Sequence, residues 1–258
     1  MVWRERRWLL LAMLLLYLMA SGCEGRYYTW GWYEILPSTP RGASNLRFLL
    51  SGLWVTVTLS VISFSISVLL GLLISLPGLS TQRYLRTLNR GYILVFRSIP
   101  VLVMILWTYY GLPMLLGISL GPFTAGIVAL ALSDSAFEAE IFRAGIQSIE
   151  RGLIEAGDSL GLSYYQKMRL IMLPIAIRRV LPPLGNQLVY MLKMSSLVSI
   201  IGLQELTRKA NELTVTIYRP LEIYTVLVAE YLALILVVSW IVGRLEAKMG
   251  ASVQASNR

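Results

Sequence analysis

Charged side chains that stand inside long apolar stretches are the residues of this sequence best placed to do chemistry. Asp134, Glu138 and Lys193 lie in such stretches, and the two acids, four residues apart, share one face of a helix. A charge at bilayer depth costs several kcal/mol unless it is paired or faces a wet cavity. Two interpretations follow. Either Lys193 neutralises Asp134 while Glu138 meets water, or the two acids line a solute route and favour cationic solutes.

The composition excludes most enzyme chemistry. The sequence contains no His, so neither a Ser-His-Asp triad nor a Cys-His pair can form. With Cys23 as its lone Cys, the chain cannot build a zinc site from Cys and His. It also lacks a Gly-x-x-x-x-Gly-Lys-[Ser/Thr] loop that could cradle ATP phosphates. We therefore predict no catalytic site, no metal site and no cofactor bound by this chain, which disfavours an intramembrane enzyme.

The apolar content predicts an all-α membrane bundle. Hydrophobic residues make up 56% of the chain and charged residues 14%, against about 25% charged residues in a typical soluble domain. A span needs about 20 apolar residues and must be helical to satisfy its backbone. Five stretches qualify, over residues 52–76, 91–116, 123–142, 184–203 and 224–243. The net charge of +9 falls between these stretches, which indicates membrane topology rather than nucleic-acid binding.

The N-terminal segment has three interpretations. Arg4, Arg6 and Arg7 precede a short apolar run over residues 8–20. This run suits a cleaved signal peptide, a lipoprotein signal ending at Cys23, or an uncleaved sixth helix. We favour the uncleaved helix because a lipoprotein with five further spans is unusual. The predicted organisation is a helix and external segment over residues 1–44, a transmembrane domain over 45–246 and a cytoplasmic tail over 247–258.

The distribution of Lys and Arg predicts the orientation of the chain. With the N-terminus inside, 15 of the 23 Lys and Arg residues fall in inner segments and six in outer segments. Cytoplasmic loops of membrane proteins carry such an excess. We therefore predict that both termini are cytoplasmic.

The longest inner segment, residues 143–183, carries signals of its own structure. Apolar residues recur at roughly helical spacing before Gly161, and Ser163 stands at an expected helix N-cap with Gln166 three residues on. Pro174 and the Pro182-Pro183 pair are expected to end helical runs. We predict short helices joined at Gly161, which either cover the inner face of the bundle or dock a soluble partner.

The motifs in this segment resemble those of a known family. The tripeptide at 155–157, Gly161 and the tetrapeptide at 171–174 resemble the signature loop of permease subunits of ATP-binding-cassette importers, with Gly157 in place of an Ala. Segments on either side are similar to the polar amino-acid uptake branch, and the match covers roughly residues 45–246. The residues that the resemblance implies for coupling to an ATPase are Glu155, Ala156, Gly157, Gly161, Leu173 and Pro174.

The resemblance implies a division of labour among several subunits. The permease would pair with a second copy or a sister permease above two ATPase subunits, which hold ATP and Mg. An extracytoplasmic solute-binding protein would deliver a polar amino acid or related solute to this pair in a bacterial inner membrane. The loop helix, docked on the ATPase, would move the bundle as a rigid lever, and Gly161 would permit the tight turn after it.

Departures from the pattern of that branch fall near the expected pathway, at residues 98–99, 133–138 and 193–197, so specificity is expected to differ. The candidate pathway residues are Asp134, Glu138, Lys193, Ser195, Ser196 and Arg97.

A secondary transporter is the rival interpretation of the whole sequence. It offers no reason for the loop pattern, and inverted repeats of broken helices are not evident.

Overall fold

A computed structural model describes the backbone of residues 28–256 and the side-chain surroundings of residues 28–247. The proposed N-terminal helix and Cys23 lie outside these described residues. Within them the chain is helical and contains no strand. The principal helices are α1 (Pro40–Leu79), α2 (Arg83–Ser98), α3 (Val101–Leu116), α4 (Pro122–Gln147), α5 (Arg151–Ser159), α6 (residues 164–194), α7 (Leu206–Ile217) and α8 (Pro220–Ser256).

Helix α1 is the longest element and begins at a strong local signal. The Thr39 hydroxyl accepts a hydrogen bond from the Gly42 amide at 2.9 Å, and Pro40 occupies the first helical position, where its missing N–H costs nothing. Its 40 residues extend about 60 Å, twice the thickness of a hydrocarbon core. The predicted span 52–76 lies entirely within it.

Helix α4 occupies the centre of the bundle and packs along α1, with α2, α3 and α6 also against it. The main core cluster includes buried side chains from α1, α3, α4 and α6, among them Leu59, Ile105, Leu130 and Met191. A second cluster joins α1, α7 and α8 at one end. The predicted spans 123–142 and 224–243 lie within α4 and α8.

The outer faces of the two longest helices are apolar. Trp54 and Leu73 on α1 are 75% and 62% exposed, and Leu236 and Trp240 on α8 are both 59% exposed. By length and hydropathy alone, α1 and residues Pro220–Ala247 of α8 can cross a membrane, and the bent pair α2–α3 is a third candidate. Helices α4 and α6 do not pass that test, and both carry several charged residues.

The predicted span over residues 91–116 is not one continuous helix, because the chain bends by 96° between α2 and α3. Ile99 is extended, with φ −87° and ψ 123°, and Pro100 follows it. Proline disfavours the helical conformation of the residue before it and lacks the amide that would continue the helix. A π-helical turn at Trp107–Gly111 further distorts α3.

The predicted span 184–203 is also wrong in its bounds. Its α-helical part runs over Leu173–Met194 and is followed by a 3-10 helix, Ser195–Ile201, so Lys193 lies in the last turn rather than at the centre. Pro182 and Pro183 do not end the helix but lie inside it. Neighbouring helices pack closely there, because a glycine stands at each contact. Gly145 of α4 faces Val180 of α6, and Gly185 of α6 faces Val242 of α8. Membrane helices tolerate proline where such packing holds them.

Pro174 does not end a helical run either. A π-helical turn, Met168–Met172, directly precedes the α-helical segment, and Pro174 occupies its first turn. The missing proline amide therefore falls where the regular hydrogen-bond ladder is already interrupted.

Candidate functional site

The signature loop forms a compact helical hairpin, which we call the coupling hairpin (residues 151–172). Helix α5 ends in a Schellman motif, in which the Leu162 amide donates to the Gly157 carbonyl at 3.0 Å and the Gly161 amide to the Asp158 carbonyl at 2.9 Å. Gly161 has φ +72°, in the left-handed region that other residues adopt only with strain. The predicted glycine turn is therefore confirmed.

The second arm of the hairpin begins at the predicted N-cap. The Ser163 hydroxyl accepts a hydrogen bond from the Gln166 amide at 3.3 Å, and the Gln166 side chain accepts one from the Ser163 amide at 2.8 Å. Both bonds of a capping box are present, so this prediction is also confirmed.

Removing the capping hydroxyl should loosen this arm selectively. A Ser163→Ala variant is expected to lose about 1 kcal/mol at the start of α6, because the Gln166 amide loses its capping acceptor. Amide hydrogen exchange at residues 164–167 should then accelerate about fivefold. Ser159→Ala is the matched control, since the Ser159 hydroxyl only donates back to the Glu155 carbonyl. Equal exchange in the two variants would show that the cap contributes nothing.

The two arms of the coupling hairpin are held together by Gly157 and an ion pair. A Cβ at residue 157 would lie 3.0 Å from Ile171 Cδ1 and 3.1 Å from Lys167 Cγ, so the glycine permits close contact between the arms. Lys167 pairs with Asp158 beside it. The departure from Ala at this position therefore has a packing reason.

The remaining signature residues are exposed, on the hairpin and just after it. Glu155 and Ala156 are exposed on α5, and Leu173 and Pro174 are exposed where the second arm enters the bundle. Sequence reasoning placed Leu160 in the apolar pattern of this loop but missed the other apolar side chains that share this exposure. Leu160, Tyr164, Tyr165 and Leu170 are 78%, 72%, 69% and 63% exposed. Large apolar residues between charges in a loop were the available signal.

The coupling hairpin is fixed to the bundle through α4 and α6. Arg179 donates a hydrogen bond to the Ser148 carbonyl at the end of α4, and Val180 packs on Gly145 one turn earlier. Helix α6, which continues from the second arm of the hairpin, is thus the element that contacts α4, the central helix.

The candidate pathway residues divide into separate groups. Asp134 is 4% exposed and accepts a hydrogen bond from Gln187 of α6, with the Ser67 hydroxyl 3.5 Å away on α1. Glu138 is fully buried, and both of its carboxylate oxygens lack a hydrogen-bond partner among the described residues. Gly71 lets α1 approach, since a Cβ there would lie 2.7 Å from Glu138 Cβ.

The pairing of Asp134 with Lys193 is wrong. Lys193 is exposed, and the ion pairs within the described part of the chain do not include it. Glu138 does not meet water either, because α1 covers it. Gln187, which sequence reasoning missed, is the residue that reaches Asp134; a polar amide inside an apolar stretch was the available signal.

The other pathway candidates lie apart from the two acids. The Arg97 guanidinium stands 4.8 Å from the ring centroid of Phe137, a cation–π contact. The Ser195 and Ser196 hydroxyls donate to the carbonyls of Leu192 and Lys193 at 2.8 and 2.7 Å, so both hydroxyl protons are used in hydrogen bonds within the same helical segment. A crevice of about 10 Å³ beside Asp134 is barely the size of one water.

A helical bundle with apolar outer faces, buried acids inside it and an exposed hairpin at one end is typical of a membrane transport protein. The family model for the binding-protein-dependent transport system inner membrane component matches residues 67–251. The chain belongs to this family. The prediction of a permease subunit of an ATP-binding-cassette importer is therefore confirmed.

Similar proteins include two transport permeases of named specificity. The glutamine transport system permease protein GlnP of Escherichia coli (strain K12) is 36% identical over 84% of this chain and 97% of its own length. The arginine transport system permease protein ArtQ of Bacillus subtilis (strain 168) is 35% identical over 80% of this chain and 94% of its own length.

Solved structures resemble the chain as well. A crystal structure of an amino acid ABC transporter with histidines matches with a TM-score of 0.78 and 37% identity, covering 86% of this chain and 100% of that one. The MetNI methionine ABC transporter matches with a TM-score of 0.67 at 21% identity, over 80% of this chain and 98% of the other, which supports the fold alone.

Proposed function

We propose that the chain imports an amino acid or a related small solute, with a preference for solutes that carry a positive group. The relatives named for glutamine and arginine support the amino-acid class. The single observation behind the cationic preference is the buried pair of acids, Asp134 and Glu138, on one face of the central helix with no basic partner among the described residues. The positive group of a solute could supply the partner that these buried acids lack.

The exposed face of the coupling hairpin supports a soluble ATPase as one partner of this chain. Glu155 and its apolar neighbours offer a docking surface for an ATPase subunit, which supplies ATP and Mg, and this chain performs no hydrolysis itself. The proposed importer contains two ATPase subunits and a second permease copy or sister permease. It also contains an extracytoplasmic solute-binding protein. The coupling hairpin then faces the cytoplasm, with both termini on the same side.

The test of this function is reconstitution of the assembled importer. The chain, co-expressed with its ATPase and solute-binding protein, should co-purify with the ATPase and give uptake that requires internal ATP. Uptake that instead follows an imposed ion gradient and proceeds without ATPase would favour a secondary transporter and contradict the proposal.

The orientation has its own test. A reporter fused after Pro174 is expected to score cytoplasmic, and one inserted within residues 117–121 is expected to score external, because the Lys and Arg excess retains the first segment inside. The two fusions control for each other's expression. Reversed scores would overturn the orientation.

A further inference from the structure

A polar cavity lies between the end of α1, the start of α2 and the end of α4. Its volume is about 430 Å³, and its lining includes Thr81, Arg86, Arg90, Glu140, Arg143 and Gln147. Neither the proposed solute route nor the proposed coupling surface uses it. The cavity lies at the end of the bundle that the Lys and Arg distribution assigns to the cytoplasm.

The lining of this cavity has an excess of positive charge. Arg143 is engaged within α4, because its Nε and Nη2 donate to the Glu140 carboxylate at 3.0 and 2.8 Å and its Nη1 to Gln147 at 2.8 Å. Glu140 thus neutralises Arg143. Arg86 and Arg90 are exposed and form no ion pair with any described residue, so two positive charges remain at the mouth.

The walls of the cavity are built by specific contacts rather than by loose packing. Asn89 is buried and donates its side-chain amide to the Ile74 carbonyl of α1. A Cβ at Gly78 would lie 2.7 Å from Asn89 Oδ1, so the end of α1 sits directly on this amide. Asn89 therefore fixes α2 against α1, and Arg86 and Arg90, one helical turn apart on the same helix, line the cavity with it.

A second, more apolar cleft continues from the first along α2. Its volume is about 390 Å³, it shares Arg90 and Glu140 with the polar cavity, and it runs past Ile93 and Leu94 to Arg97 and Ser98. Leu94 is 69% exposed. A basic mouth that leads into an apolar cleft matches a ligand with an anionic head and a hydrocarbon tail.

We propose that the polar cavity binds the phosphate headgroup of an anionic phospholipid, whose acyl chain follows the apolar cleft. Basic pockets between helices on the cytoplasmic side are suited to such headgroups, and arginine pairs well with phosphate oxygens. The inference rests on the proposed orientation, which places this cavity at the inner leaflet. A free phosphate would fill the polar cavity but leave the apolar cleft unused.

The experiment titrates the full-length chain, purified in neutral detergent, with phosphatidylglycerol or phosphatidylcholine and counts bound lipid by native mass spectrometry. Phosphatidylglycerol is expected to bind more tightly than phosphatidylcholine. The Arg86→Gln/Arg90→Gln variant should weaken phosphatidylglycerol binding about thirtyfold. Arg83→Gln/Arg178→Gln removes the same charge from exposed positions outside the cavity and should leave binding unchanged.

Four results would overturn the proposal. Equal binding of the two lipids would remove the role of the anionic head, and wild-type binding by Arg86→Gln/Arg90→Gln would remove the role of these arginines. An equal loss in the control variant would indicate general charge attraction. Displacement of phosphatidylglycerol by an equal concentration of inorganic phosphate would show a small-anion site without a lipid tail. Melting temperatures of both variants confirm that each is folded, and the orientation is tested separately by the reporter fusions.

Discussion

Replacing Gly161 with valine is expected to abolish most ATP-driven uptake while the chain still inserts in the membrane and still binds its ATPase. Gly161 has φ +72°, and a β-branched residue in this conformation is strained by about 1–2 kcal/mol or more. The Schellman turn would relax, and the two arms of the coupling hairpin would change their angle. Uptake in proteoliposomes, set against ATPase co-purification, measures the loss of coupling.

Gly152→Val is the matched control for this prediction. Gly152 lies in the same hairpin, and a Cβ at either glycine meets nothing within 4 Å, so space does not distinguish the two positions. Only Gly161 requires a positive φ. Wild-type uptake by Gly161→Val at normal expression would contradict the lever, whereas a loss in both variants would point to general damage to the hairpin.

Neutralising the buried acids is expected to change which solutes the importer prefers. Asp134→Asn and Glu138→Gln each replace one carboxyl group of α4 with an amide of nearly the same shape, and each should lower the preference for cationic over neutral amino acids about tenfold or more. A hydrogen bond to a charged group contributes roughly 1.5–3 kcal/mol, which corresponds to at least that factor. Competition between arginine and glutamine in the reconstituted importer measures the preference.

Glu230→Gln supplies the control for the acids. Glu230 also has carboxylate oxygens without a partner among the described residues, but it belongs to α8, which packs on α6 and α7 rather than on α4. Its replacement should leave the preference unchanged. If Asp134→Asn and Glu138→Gln both keep wild-type uptake and wild-type preference, the two acids are structural and the cationic assignment fails.

Local signals in the sequence predicted the coupling hairpin well. The turn at Gly161 and the cap at Ser163 involve residues within five positions of each other, so their geometry is decided by side chains that are adjacent in the sequence. The long apolar spans in α1 and α8 were predictable for a related reason, because length and hydropathy are properties of a single segment.

Contacts between distant segments explain what the sequence could not predict. Helix α6 continues through Pro182 and Pro183 because α4 and α8 hold it at Val180 and Gly185, positions remote in sequence from their partners. The hydrogen-bond partner of Asp134 is likewise decided by how α6 packs against α4. Lys193 has the complementary charge, but Gln187 is the side chain that the rotation of α6 brings to the acid. A charge pattern alone does not fix that rotation.

The contact between the coupling hairpin and an ATPase is tested most directly by site-specific cross-linking. In a Cys23→Ser background, Glu155→Cys would carry the only thiol of this chain. Cross-linking to the co-purified ATPase is expected from residue 155, and none is expected from Ile118→Cys, which lies beyond α3 at the opposite end of α4. Cross-links from residue 118 together with none from residue 155 would contradict the proposed mode of coupling.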